Sequence, residues 1–164
     1  MQSKSTVSAS WNSRLAKIDS HMLAIYVYPR ISVVMFIICY VDLLSGSVKY
    51  ILGRDGGGIG AFDVHPEGTH LAVAERSSSN ASPHVFIYML PSLELTHVLC
   101  DGTERAYSDV SFSGNGEKLV TVGSFPDFLL SVWDWREQRG VLRTKAFGQE
   151  VRLFRAISHV YCMG

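Results

Sequence analysis

The chain has 164 residues, 15 basic against 15 acidic, and 47% of its residues are aliphatic, aromatic or cysteine. That length supports one domain with a real core and not two large ones. The cancelled charge offers no global field for a phosphate backbone or an anionic membrane, so nucleic acid is a poor candidate partner.

In chain order, residues 1–20 are Ser-rich and polar, with Trp11, Leu15 and Ile18 as the large apolar side chains, and are expected to be loosely ordered. The stretch 22–44 is β-branched and aromatic, interrupted at Pro29, and reads as one or two buried strands. Its core, Ile31-Ser-Val-Val-Met-Phe-Ile-Ile-Cys-Tyr-Val41, is about half a membrane span, and extending it backward to spanning length would put Pro29 and Arg30 inside the bilayer. A small β protein anchored in a membrane through residues 22–44 is therefore the alternative to a scaffold, and the weaker of the two. A signal peptide is disfavoured by the polar segment that precedes the run.

From residue 41 onward short apolar runs alternate with Gly, Pro, Asn, Asp and Ser clusters about every ten residues. Strands are expected at 48–52, 59–64, 69–74, 84–89, 94–99, 108–112, 118–122, 129–133 and 141–145, with no long amphipathic helix between them. The pattern repeats. Phe62-Asp-Val-His-Pro-Glu-Gly-Thr-His-Leu-Ala-Val73 superposes on Val110-Ser-Phe-Ser-Gly-Asn-Gly-Glu-Lys-Leu-Val-Thr121, setting Gly68 opposite Gly116 and Leu71 opposite Leu119. The offset of about fifty residues is near the period of a propeller blade.

The second half of the unit recurs as well: Val85-Phe-Ile-Tyr88 with Leu90-Pro-Ser-Leu-Glu-Leu95 resembles Leu130-Ser-Val-Trp133 with the turn and strand after it. A partial third copy, Val41-Asp-Leu-Leu-Ser-Gly-Ser-Val-Lys-Tyr-Ile51, matches the Trp133-Asp134 turn and its following strand. In each first turn a glycine supplies positive φ, and Pro66 fixes φ at the turn's second position. Trp133 should end a strand lying between two neighbours, with its ring buried, and Asp134 should open the exposed turn.

The fold expected is all-β: about two WD40-type β-propeller blades, an incomplete propeller, with a non-propeller N-terminal segment. The expected organisation is a segment 1–40, blades over 41–154 and a tail 155–164 that stops before another blade is complete, as in a partial or alternatively spliced product.

Sites for chemistry are sparse. Gly56-Gly-Gly-Ile-Gly-Ala61 contains a G-x-G-x-x-A match, but it leads into a strand and a turn, not a helix, so a blade-connecting loop is the better reading than a dinucleotide cradle. The six histidines show no metal-ligand spacing and read as surface or turn residues, and Cys39, Cys100 and Cys162 show no C-x-x-C pairing. No G-x-S-x-G elbow is present. Asn80-Ala-Ser82 is a formal glycosylation acceptor, read as an ordinary loop because Pro83 comes directly after it. No catalytic residue, metal or cofactor is expected. The structural repeat positions are Gly68, Gly116, Asp127, Trp133 and Asp134. Phe125 and Trp135, which fall in turns, are the exposed aromatics best placed to touch another protein.

Residues 56–151 resemble the WD-repeat region of the cilia- and flagella-associated proteins of the axoneme. The resemblance rests on Gly57-Gly-Ile-Gly-Ala-Phe-Asp-Val-His-Pro66, Pro91-Ser-Leu93, Gly102-Thr-Glu-Arg-Ala-Tyr107, Val122-Gly-Ser-Phe-Pro-Asp127, Val132-Trp-Asp-Trp135 and Leu142-Arg-Thr-Lys-Ala-Phe-Gly-Gln-Glu-Val151. It implies a non-catalytic component of the tether and tether-head assembly, located in the cytoskeleton of the cilium or flagellum. The implied partners are other axonemal WD-repeat proteins, inner-arm dynein and the doublet microtubule. WD-repeat proteins commonly join an acid near position 127 to a His, a Ser or Thr and the Trp. The His expected near Gly102-Thr103 is missing, so this network should be partial.

Overall fold

The computed structural model describes residues 15–18, 21–30, 33–52, 58–77 and 82–146. They are built from antiparallel strands and turns, and no helix among them is long and apolar enough to cross a membrane. The chain divides into two compact units, Met1–Arg54 and Asp55–Gly164.

The first unit is one four-stranded sheet in the order β1-β2-β3-β4, formed by β1 (Leu15–Ile18), β2 (His21–Arg30), β3 (Val33–Asp42) and β4 (Val48–Leu52). The apolar stretch 22–44 is thus a long hairpin and the turn after it, and the helical anchor weighed from the sequence finds no support. Pro29 does not divide it: it lies next to the end of β2, opposite Val34, where an absent N–H does least harm to the ladder. Residues 15–18, expected to be loose, form an edge strand on β2. The remainder of 1–20 lies outside the described residues. Position 40, expected to separate the N-terminal segment from the blades, falls inside β3, which pairs with β4 through Val41↔Val48.

The second unit holds two sheets of like design. One runs β5 (Ile59–Val64), β6 (His70–Glu75), β7 (Val85–Met89), β8 (Glu94–Leu99). The other runs β9 (Tyr107–Phe112), β10 (Leu119–Gly123), β11 (Leu129–Asp134), β12 (Arg139–Lys145). Each is a meander whose strand order in space equals its order in sequence, the design of a propeller blade.

The two blades pack through unequal faces. The alternation of side chains along a strand puts Ala61, Ala72, Ala74, Val85, Ile87 and Leu99 on one face of the first blade. They share a core with Tyr107, Val110, Phe112, Leu119, Trp133 and Trp135 of the second. Small side chains on one sheet leave the depth that aromatic rings on the other fill. Each ring removed from water contributes roughly 3 kcal/mol of transfer free energy before its entropy cost. Neither blade could bury these rings alone, so the two are mutually dependent.

The inner strands are also joined by hydrogen bonds. Asp63 on β5 accepts from the Phe112 amide at 2.8 Å and from the Ser111 hydroxyl at 3.1 Å, both on β9. Burial pushes the Asp63 carboxyl above the usual carboxylate range, against the opposing pull of the Phe112 and Val64 amides and the Ser111 hydroxyl.

Candidate functional site

Because the strands of a meander alternate in direction, its turns gather at two opposite ends. The β5–β6, β7–β8, β9–β10 and β11–β12 turns lie at one end of the second unit, and the β6–β7 and β10–β11 connections with the β8–β9 loop lie at the other. The two aromatic contact candidates, Trp135 and Phe125, consequently sit at opposite ends.

At the first end, Gly68 and Gly116 occupy the corresponding hairpin turns with φ of 72° and 71°. In this left-handed region glycine carries no Cβ penalty, and each glycine's N–H closes its turn on the carbonyl three residues back, His65 and Ser113 respectively. Gly116 has a second requirement, because a Cβ there would run into the His65 ring.

Trp135 corrects the expectation drawn from its turn position: it is 1% exposed. The β11–β12 turn lies at the surface, but the indole folds back into the seam between the blades and donates from Nε1 to the Gly116 carbonyl at 2.9 Å. His65, expected to be a surface or turn histidine, is buried beside it. Its Nδ1 accepts from the Glu67 amide at 3.2 Å, which fixes the proton on Nε2, and Nε2 then donates to the same Gly116 carbonyl at 3.2 Å. One carbonyl of the second blade thus receives a donor from each blade.

His70, His97 and Phe112 also ring Trp135 at centroid distances of 4.9, 5.3 and 5.7 Å, and the Arg136 guanidinium lies 4.4 Å over it. Burial, with the nearby histidines and Arg136, holds His70 below the ordinary imidazole value. Burial and Arg136 do the same to His97. This end is a joint between blades, and Trp135 is its central ring.

Asp134 is the last residue of β11, paired with Arg139 ahead of the turn. Its carboxylate meets Lys118 Nζ at 2.7 Å and is held below the usual carboxylate range chiefly by that hydrogen bond. Trp133, next to the end of β11 and between β10 and β12, is buried.

The hydrogen-bonded network comes in two separate halves. Trp133 Nε1 donates to Thr121 Oγ1 at 2.9 Å in the blade interior. Asp127 accepts from Thr103 Oγ1 at 3.0 Å and from the Glu104 amide at 2.9 Å. Thr103 stands where the histidine was expected and satisfies the acid, but neither oxygen of Asp127 reaches the Thr121–Trp133 pair. The result is a clamp at the second end that ties the β10–β11 turn to the β8–β9 loop.

That clamp orients Phe125. The turn closes through the Phe128 amide on the Ser124 carbonyl at 3.1 Å, and the Ser124 amide reaches Ala106 at 2.8 Å. Phe125 is 67% exposed and meets Phe128 edge-on at 6.1 Å, so a large apolar ring is presented to solvent from a braced turn. The exposure of Phe125 was legible from its turn position, whereas the joint residues Asp63, His65, His70 and His97 were not. The signal available for His65 was its place opposite the second repeat's turn. Among the described residues there is no cluster of His, Cys, Asp or Glu able to hold a metal ion.

No family model matches the chain. It is 53% identical over 114 residues to cilia- and flagella-associated protein 44 of Chlamydomonas reinhardtii, and 45% identical over 110 residues to the mouse protein of that name. Each alignment covers 67% of this chain and 6% of the relative. The 77 kDa echinoderm microtubule-associated protein of Lytechinus variegatus is 28% identical over 131 residues, 74% of this chain and 20% of that protein. The chain therefore spans a small part of the curated relatives it matches. Repeated four-stranded blades and this similarity identify it as a WD-repeat chain homologous to a stretch of cilia- and flagella-associated protein 44.

Proposed function

We propose that the chain is a non-catalytic WD-repeat scaffold segment of the axoneme of cilia and flagella, and that it belongs to the tether and tether-head assembly linking inner-arm dynein heads to the doublet microtubule. The similarity to a ciliary WD-repeat protein carries this reading. The architecture supports it, since blades present turns at two ends for other proteins to grip. Its partners are then other axonemal WD-repeat proteins, inner-arm dynein and the microtubule wall.

Phe125 is the contact residue in this reading. Its turn is braced from behind by Asp127, so little side-chain order has to be gained on binding. Trp135 acts as the ring of the blade joint and takes no part in recognition.

Cross-linking of the tagged chain in isolated axonemes tests the proposal. Cross-links to an inner-arm dynein heavy chain or to doublet tubulin are expected, and Phe125→Ala should reduce those that involve the β10–β11 turn. Cross-links confined to membrane proteins would contradict the reading.

A further inference from the structure

The outermost strand of the second blade differs from that of the first. All seven residues of β12 are exposed, whereas the first blade's outer strand, β8, is largely half-buried and ends in buried Leu99. β12 also carries Arg139, Arg143 and Lys145 and no acid. Arg139 is neutralised locally by Glu137 at 3.2 Å. Among the described residues Arg143 and Lys145 have no carboxylate partner.

The geometry of β12 divides at a bulge. Trp133 pairs with Gly140 and Val132 with Leu142, so Val141 is an extra residue and the edge is broken there. Beyond it the ladder is regular: Leu142↔Val132, Arg143↔Ser131, Thr144↔Leu130, Lys145↔Leu129. Along these four residues the two cations share one face of the sheet and Leu142 and Thr144 the other. Arg143 is held in place, with its guanidinium 5.8 Å from the Trp133 ring.

An edge strand presents every second residue's N–H and C=O outward, ready to pair. Two copies of this edge would set cation against cation, which disfavours self-pairing and selects a partner of opposite charge. We propose that Leu142–Lys145 accepts an acidic, extended peptide segment as a fifth strand of the blade. Its carboxylates would stand at alternate positions opposite Arg143 and Lys145, with one apolar residue between them opposite Thr144 and another flanking them opposite Leu142. The exposed Leu142 side chain, 53% accessible, supplies the apolar contact. This inference does not depend on the axonemal reading.

The test uses the full 164-residue chain and dye-labelled, acetylated eight-residue peptides followed by fluorescence anisotropy. One peptide alternates Glu with Val, a second alternates Lys with Val, and a third is the Glu–Val peptide interrupted by a central proline. The first should bind saturably, weaken with salt, and slow amide hydrogen exchange along Leu142–Lys145. Arg143→Gln/Lys145→Gln should weaken it about tenfold, and Arg143→Glu/Lys145→Glu should bind the Lys–Val peptide in its place. The swap shows that the altered edge is folded. The proposal is overturned if the native chain binds the Glu–Val and Lys–Val peptides equally or binds neither. It is equally overturned if the proline-broken peptide binds as tightly as the intact one.

Discussion

Trp135 shows how much a residue's sequence position conceals. A turn location fixes where its backbone runs, but the direction of its side chain depends on the Gly116 carbonyl and four rings, all of them on other strands and turns. The positive φ at Gly68 and Gly116 was legible because a local turn rule suffices for it. His65 and Trp135 were not, because contacts with Gly116, 51 and 19 residues away, decide where their side chains go. Trp135→Ala should therefore destabilise the second unit by about 3–5 kcal/mol in denaturant unfolding, as for other large-to-small core changes. Phe125→Ala should leave stability within about 0.5 kcal/mol, as expected for an exposed side chain.

The joint also titrates. His70 and His97 are depressed in the folded chain, so below the ordinary value of 6.5 the unfolded chain takes up protons that the folded one resists. Their contribution is complete above pH 6.5 and is lost as pH falls below it. Thermal unfolding followed from pH 8 to pH 5 should show a falling midpoint, and replacing both histidines with Asn should flatten that slope.

At the scale of strands and turns, the punctuation was a reliable guide. The strands expected at 59–64 and 94–99 coincide with β5 and β8, and the others in the second unit shift by one or two residues at their ends. The first unit was harder to read because β2 and β3 are both continuous apolar runs, which carry no alternation to separate strand from helix or to fix their register. The packing of blade on blade was also illegible. Alternation says that Ala72 and Ala74 share a face, but not that this face receives the rings of Tyr107, Trp133 and Trp135. Ala72→Leu or Ala74→Leu should accordingly cost about 1–3 kcal/mol by overfilling the seam, although both add apolar surface to a strand. Breaking the internal half of the network with Thr121→Val should cost about 1–3 kcal/mol, because the Trp133 N–H is then buried without an acceptor. Both costs can be measured as shifts of the denaturation midpoint.

For the whole molecule, the two blades of the second unit make one stability unit: they share a core, a doubly used carbonyl and a half-buried carboxylate. They should unfold together, with the fluorescence of the buried tryptophans and the far-ultraviolet signal of the sheets changing in a single transition. Binding is a matter of the surfaces this unit exposes. Braced turns at both ends and an exposed outer strand offer places for other proteins to bind, and the relatives the chain matches are named as ciliary and microtubule-associated proteins. The most direct check is to express the tagged chain in ciliated cells, strip the membrane with detergent, and measure how much signal stays with the bare axoneme. Retention along the axoneme, reduced by Phe125→Ala, is the result expected. Release of the chain with the detergent-soluble fraction would contradict the account.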